Sequence, residues 1–206
     1  MDDNNFVEVP SFSVDESMEL LRALMSQEQR CLSEAQQQVV QEAFAGCSSP
    51  LYVRLITADA RSWTSMNNVE ASSLPSGVKE CINSFLDQLE KTHGRTLVSH
   101  SLAYLTASIT GLSDNEMEDV LSLDDAVLSE VYANRPMIIS RLPPVSWQKI
   151  KYDMRDFLVT RECEGLTTFY WNHRIFIETA KTRYLNDETR RKLIHAGLAD
   201  YMLGTW

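Results

Sequence analysis

Turn-forming residues are scarce in this sequence, with seven Gly and six Pro among 206 residues. That scarcity excludes a collagen-like or linker-like chain, argues against a turn-rich β-sandwich, and leaves room for long helices. No apolar run approaches the roughly 18 residues needed to cross a bilayer. The opening Met1–Phe12 lacks the basic and apolar regions of a secretory signal. Cys31, Cys47, Cys81 and Cys163 form no CxxC pair, and there is no Asn-x-Ser/Thr sequon. These absences predict a cytoplasmic chain with reduced thiols, each cysteine serving as a small buried hydrophobe. Positive charge is also short: 19 Lys and Arg face 29 Asp and Glu, a net charge of −10. Phosphate backbones and anionic membranes repel such a chain, which argues against both as general partners.

What is present is ordinary globular material, 44% hydrophobic and 23% charged, which excludes wholesale disorder. Residues 1–12 read as a flexible acidic N-terminus. Met18, Leu21, Leu24 and Met25 recur at helical spacing from Asp15 onward. Ser33 and Gln36 form a capping box opening a second helix that Gly46 should stop. Pro50 sits at a first-turn position and predicts a third helix to about Trp63. A Ser/Asn-rich loop over 64–76 precedes a fourth helix ending at Gly94, the predicted domain boundary.

Beyond it, Leu97–Ser108 reads as an apolar helix, and Ser113 with Glu116 caps a short one. Asp124 caps another through Tyr132. Prolines keep 133–145 non-helical, and Ser146 opens a helix carrying Trp147, Ile150, Met154, Phe157 and Leu158 to about Gly165. The one convincing strand is Leu166–Trp171, to be paired with the stretch before it or with 136–141. Two helices close the chain, about His173–Leu185 and Asp187–Leu203, with Asn186 as N-cap and Gly204 as terminator. The fold class is therefore mainly α: a helical domain over 13–94, then a winged-helix domain with a small β-hairpin over 95–206.

Catalytic chemistry is missing from the motifs. There is no GxxxxGK[ST], GxSxG or HExxH, and no Gly-rich phosphate loop. His173 and Glu178 are five residues apart, which turns them about 140° from each other on a helix. His195 and Asp200 share that defect. No catalytic residue, metal site or cofactor is expected for this chain alone.

Gly46-Cys47-Ser48-Ser49-Pro50-Leu51 resembles the proline-bearing motif in the helical domain of signal-transducing NTPases with a NACHT core. Leu97–Ser108 and Gly111–Met117 look like the opening of their winged-helix domain. Arg141–Trp147, Tyr170–Arg174 and His195–Tyr201 are similar to its closing half. Together they resemble the NACHT and WD-repeat domain-containing protein family from about Val9 to Trp206. The resemblance implies a non-catalytic regulatory module of a longer polypeptide, C-terminal to a nucleotide-binding core and linked to WD repeats. It implies that Pro50 packs on the adenine and that His173 reaches the β-phosphate of ADP, holding a closed state. ADP or ATP would then be bound through a core domain not in this chain, with other proteins as partners. Two further expectations stand beside it: a winged-helix nucleic-acid binder using the helix at His173 or the next, and a scaffold contacting only protein.

Overall fold

Serine starts many of these helices, because its hydroxyl accepts from the otherwise unpaired N–H groups of a first turn. Ser13 caps α1 (Val14–Gln27) and Ser33 caps α2 (Glu34–Gly46), each in a complete capping box with Glu16 and Gln36 respectively. Ser49 accepts from Tyr52 N and leads α3 (Pro50–Ala60), with Pro50 in the first turn. The structure is a computed structural model describing residues 10–64, 74–133, 141–163 and 165–205. Residues 1–9 of the acidic N-terminus, 65–73 of the 64–76 loop and 136–140 of the alternative strand partner 136–141 lie outside the described residues.

The chain divides into two compact units, Met1–Phe85 and Leu86–Trp206, the division falling inside α4 (Val78–His93) and before Gly94. In the first unit α1 packs on α2 and α3, burying Leu21, Val40, Phe44, Tyr52, Val53 and Ile56. Phe44 meets Tyr52 edge-on at 6.2 Å, a geometry aromatic quadrupoles favour. Gly46 is the last residue of α2 rather than its stop; Cys47, in extended backbone at φ −152°, ends the helix.

In the second unit α5 (Arg95–Ala107) is the central helix, its Leu97, Val98, Leu102, Ala103 and Leu105 all buried. Gly94 precedes it without a side-chain cap. Glu130 supplies the cap from a distance, accepting from Thr96 N at 2.9 Å and Leu97 N at 2.7 Å. Around α5 lie α6 (Asp114–Ser122), α7 (Asp125–Val131), α9 (Arg174–Tyr184) and α10 (Glu188–Leu203). α8 (Pro144–Asp153) packs on α6 through Trp147, which is fully buried.

The predicted helix from Ser146 to about Gly165 is shorter in the structure. It ends at Asp153, passes through a 3-10 turn (Arg155–Phe157) and becomes β1 (Leu158–Cys163). β1 pairs antiparallel with β2 (Leu166–Trp171), Leu158 opposite Trp171 and Cys163 opposite Leu166. The ladder bonds of β2 outweigh the helical phase that Met154, Phe157 and Leu158 continue. Leu112 adds a one-residue third strand against Phe169, with backbone bonds of 2.8 and 3.2 Å. The last helix is capped by Asp187, not Asn186, through Arg190 N at 2.8 Å. Gly204 ends it in the left-handed region, as expected.

Cysteines depart from the uniform buried role. Cys81 is buried, Cys47 half-buried and Cys31 exposed. Burial, with smaller contributions from Asp59, Cys47 and Glu80, pushes the Cys81 thiol up to about 12, so it stays protonated and unreactive at neutral pH.

Candidate functional site

His173 is placed by a turn pinned on both sides. Before it, Trp171 is buried, donates from Nε1 to Thr106 Oγ1 at 3.0 Å and stacks on Phe176 at 5.3 Å. Asn172 N donates to Phe157 O at 3.0 Å, and Asn172 Nδ2 donates to Asp156 O at 2.8 Å. After it, Phe176 is fully buried against Phe157 at 4.8 Å. The far end of α9 is held where Arg183 meets Asp87 at 2.5 Å and Glu90 at 2.9 Å, with Tyr184 also donating to Glu90 at 2.8 Å.

The His173 side chain itself is exposed. It is the N-cap of α9, its Nδ1 accepting from Ile175 N at 3.3 Å. Accepting that bond requires a lone pair on Nδ1, so the neutral ring carries its proton on Nε2. An N–H donor therefore faces outward at a helix N-terminus, where backbone N–H groups and the helix dipole favour an anion. Arg174 beside it is 88% exposed and pairs with Glu178 at 2.7 Å.

Pro50 belongs to the other unit. It is exposed at the start of α3, with its ring toward solvent and its missing N–H costing the helix nothing. Below it Tyr52 is buried and donates to Pro75 O at 2.6 Å. His195 is exposed within α10, without a cap or ion pair among the described residues.

A second polar cluster lies against α5. Asp124 caps α7 through Ala126 N and Val127 N at 3.1 and 3.3 Å. Its other oxygen meets His100 Nδ1 at 2.5 Å and Tyr104 OH at 3.0 Å. Burial pushes the Asp124 carboxyl up, but His100, Tyr104 and the Val127 N–H together bring it below its ordinary 3.8. A carboxyl lowered by folding adds stability that is present above the unfolded value and is lost as pH falls through the folded one. Asp124→Asn is thus expected to cost about 1–2 kcal/mol at pH 7, the gap from wild type closing below pH 3.8. Urea midpoints at pH 7 and pH 3 measure it; a gap that widens in acid would refute the assignment.

Among the described residues, no group of three or more His, Cys, Asp or Glu is placed to hold a metal ion. No helix among them is long and apolar enough to cross a membrane.

A family model described as an NWD1-like, winged helix-turn-helix domain matches residues 66–192. The chain belongs to this family. It is also 32% identical over 209 residues to the human NACHT domain- and WD repeat-containing protein 1, covering 100% of this chain and 13% of that protein. To the human NACHT and WD repeat domain-containing protein 2 it is 33% identical over 206 residues, covering 100% and 12%. The mouse counterpart of the latter is 32% identical over 206 residues, with the same coverage. The chain thus spans about one eighth of the length of these relatives. No solved structure matches it. The hairpin β1–β2 is the wing of this winged helix, and His173 opens the helix that follows it.

Proposed function

We propose that this chain is a non-catalytic regulatory module of a NACHT-type signalling NTPase, acting in the cytoplasm. It lies C-terminal to a nucleotide-binding core and before WD repeats, and it helps to hold an ADP-bound closed state. The observation that carries this reading is His173: an exposed imidazole on a rigid turn, with Nδ1 occupied by its own helix and Nε2–H free to donate. That arrangement suits a phosphate oxygen and adds to the anion preference of the α9 N-terminus. Pro50 offers a rigid apolar face for the adenine of a nucleotide held mainly by the core. The names of the relatives support such a core and such repeats in the longer polypeptide. Hydrolysis, where it occurs, belongs to the core, which alone would supply a phosphate loop and metal.

The test separates capping from phosphate contact. Asparagine is a good N-cap, so His173→Asn keeps α9 capped but removes the outward donor. In a polypeptide joining this chain to a NACHT core, His173→Asn is expected to weaken ADP retention about tenfold or more with unchanged thermal stability. The isolated chain should bind ADP more weakly than the micromolar range. Micromolar ADP binding by the isolated chain, or unchanged ADP retention in the variant, would sink the proposal.

A further inference from the structure

The wing strand β1 is paired along one edge and open along the other. On the far side of β2, Leu112 and Phe169 exchange two backbone hydrogen bonds. Phe169 therefore has no backbone group left for its opposite neighbour on β1, Thr160. The N–H and C=O of Thr160 must then point away from β2, as they do at every second residue of an antiparallel pair. The bond from Asn172 N to Phe157 O at 3.0 Å carries the same alternation past the strand end. Leu158, Thr160 and Glu162 thus turn their backbone donors and acceptors to the open edge, and no hydrogen bond from another described residue reaches them. Side-chain chemistry does not close this edge either. Val159, Thr160, Arg161 and Glu162 are all exposed. The strand has no Pro, no Lys and no bulge, the usual devices that blunt a free edge.

The open edge is complementary to itself. Two copies related by a two-fold axis perpendicular to the sheet meet antiparallel, presenting the same residues from each side. Thr160 is the middle one of the three outward residues. With Thr160 on the axis it faces Thr160 of the second copy, and Leu158 of each copy faces Glu162 of the other. Every outward N–H and C=O of these residues then finds a partner. No like charges stand directly opposite: Arg161 faces Val159 of the second copy, and its guanidinium is drawn back over its own Tyr170 ring at 4.7 Å. Sliding the copies by two residues one way sets Arg161 against Arg161 of the second copy, which destabilises the pair. Sliding them the other way leaves Glu162 with no strand residue opposite. One register therefore satisfies both hydrogen bonding and charge. The strand carries one Arg and one Glu, so two chains of net charge −10 meet here along a neutral edge.

We infer that the open edge of β1 is a self-association edge, on which a second copy of this chain adds its own β1 antiparallel with Thr160 on the two-fold axis. The two wings then form one continuous sheet, the mode by which an extended strand extends an exposed sheet edge. The contact spans only Leu158–Glu162 on each side, against the roughly 20–30 residues a side of a stable complex. The dimer of this chain is accordingly weak, with a Kd of about 100 μM. The edge shares no residue with the nucleotide contacts proposed above and stands independently of them.

Sedimentation equilibrium of the 206-residue chain, from about 10 μM to about 1 mM, tests this. The average mass is expected to rise with concentration toward that of a dimer. Thr160→Pro removes the outward N–H at the axis but leaves the ladder to β2 whole, and should weaken the dimer about tenfold or more. Thr160→Lys and Thr160→Glu each set like charges opposite one another and should each weaken it about fivefold. An equimolar mixture of the Lys and Glu variants should dimerise at least as tightly as the unsubstituted chain, because the two charges then meet across the axis. His173→Asn should change nothing. Thr160 is exposed, and should Thr160→Pro alter the circular dichroism spectrum, the Lys and Glu variants decide. A chain that stays monomeric throughout, a dimer indifferent to substitution at Thr160, or a mixture no tighter than either variant alone would overturn the inference.

Discussion

Replacing Trp147 by alanine is expected to destabilise the second unit by about 4 kcal/mol, the range of large aromatic truncations in a packed core. The indole is fully buried, and its Nε1 donates to Asp114 Oδ1 at 2.8 Å. Asp114 also holds Lys151 and lies at the first turn of α6, so the tryptophan ties α8 to a helix end whose dipole already favours the carboxylate. Alanine leaves a cavity and removes one of the two side-chain donors to Asp114. Trp147→Phe fills most of the cavity but still lacks the donor, and should cost about 1–2 kcal/mol. Against a total of about 5–15 kcal/mol for a domain, the alanine variant is close to the threshold of folding. Amide hydrogen exchange of α6 reports the loss locally, so that unfolding of the first unit does not obscure it. A change below about 1 kcal/mol would show that the site collapses around the missing ring.

Helix starts were legible because their signals are local. Ser33 with Gln36, Ser113 with Glu116 and Asp124 all cap the helices their spacing predicts, since a cap involves residues only two or three apart. Asn186 and Asp187 are adjacent cap formers, and nothing local decides between them. The sequence leading into β1 continues a helical pattern for a physical reason. Trp147, Ile150, Met154 and Phe157 are all buried at a spacing that a helix and a following 3-10 turn both satisfy. The strand beyond them supplies no alternation, because Val159, Thr160, Arg161 and Glu162 are all exposed. Contacts distant in sequence left no trace at all. The Glu130 cap of α5 lies 33 residues from Leu97, and the pairing of Leu112 with Phe169 involves one residue on each side. The site divides the same way. The place of His173 after an aromatic strand was visible in sequence, and so was its helix-opening role. The bond from Ile175 N to its Nδ1, which leaves Nε2 as the outward donor, was not, because it depends on the side-chain rotamer.

Gly111→Ala should be the most disruptive of the glycine-to-alanine changes, at about 3 kcal/mol. Two effects combine. Gly111 has φ +86°, which an L-residue adopts only under strain, and an added Cβ would lie 2.4 Å from the backbone oxygen of Phe169. A backbone oxygen cannot swing aside as a side-chain tip can, so the Leu112–Phe169 pair must open. With it go the bond from Phe169 N to Leu112 O at 2.8 Å and the contact of Thr168 Oγ1 with Thr110 O at 3.1 Å. Gly165 in the hairpin turn is the control: it has φ +81° but nothing within 4 Å of the added methyl. Gly165→Ala therefore measures backbone strain alone, about 1 kcal/mol, and the difference between the variants gives the cost of the clash. Urea unfolding of both, read by circular dichroism, makes the comparison; equal losses would mean that the third strand adds nothing to the fold.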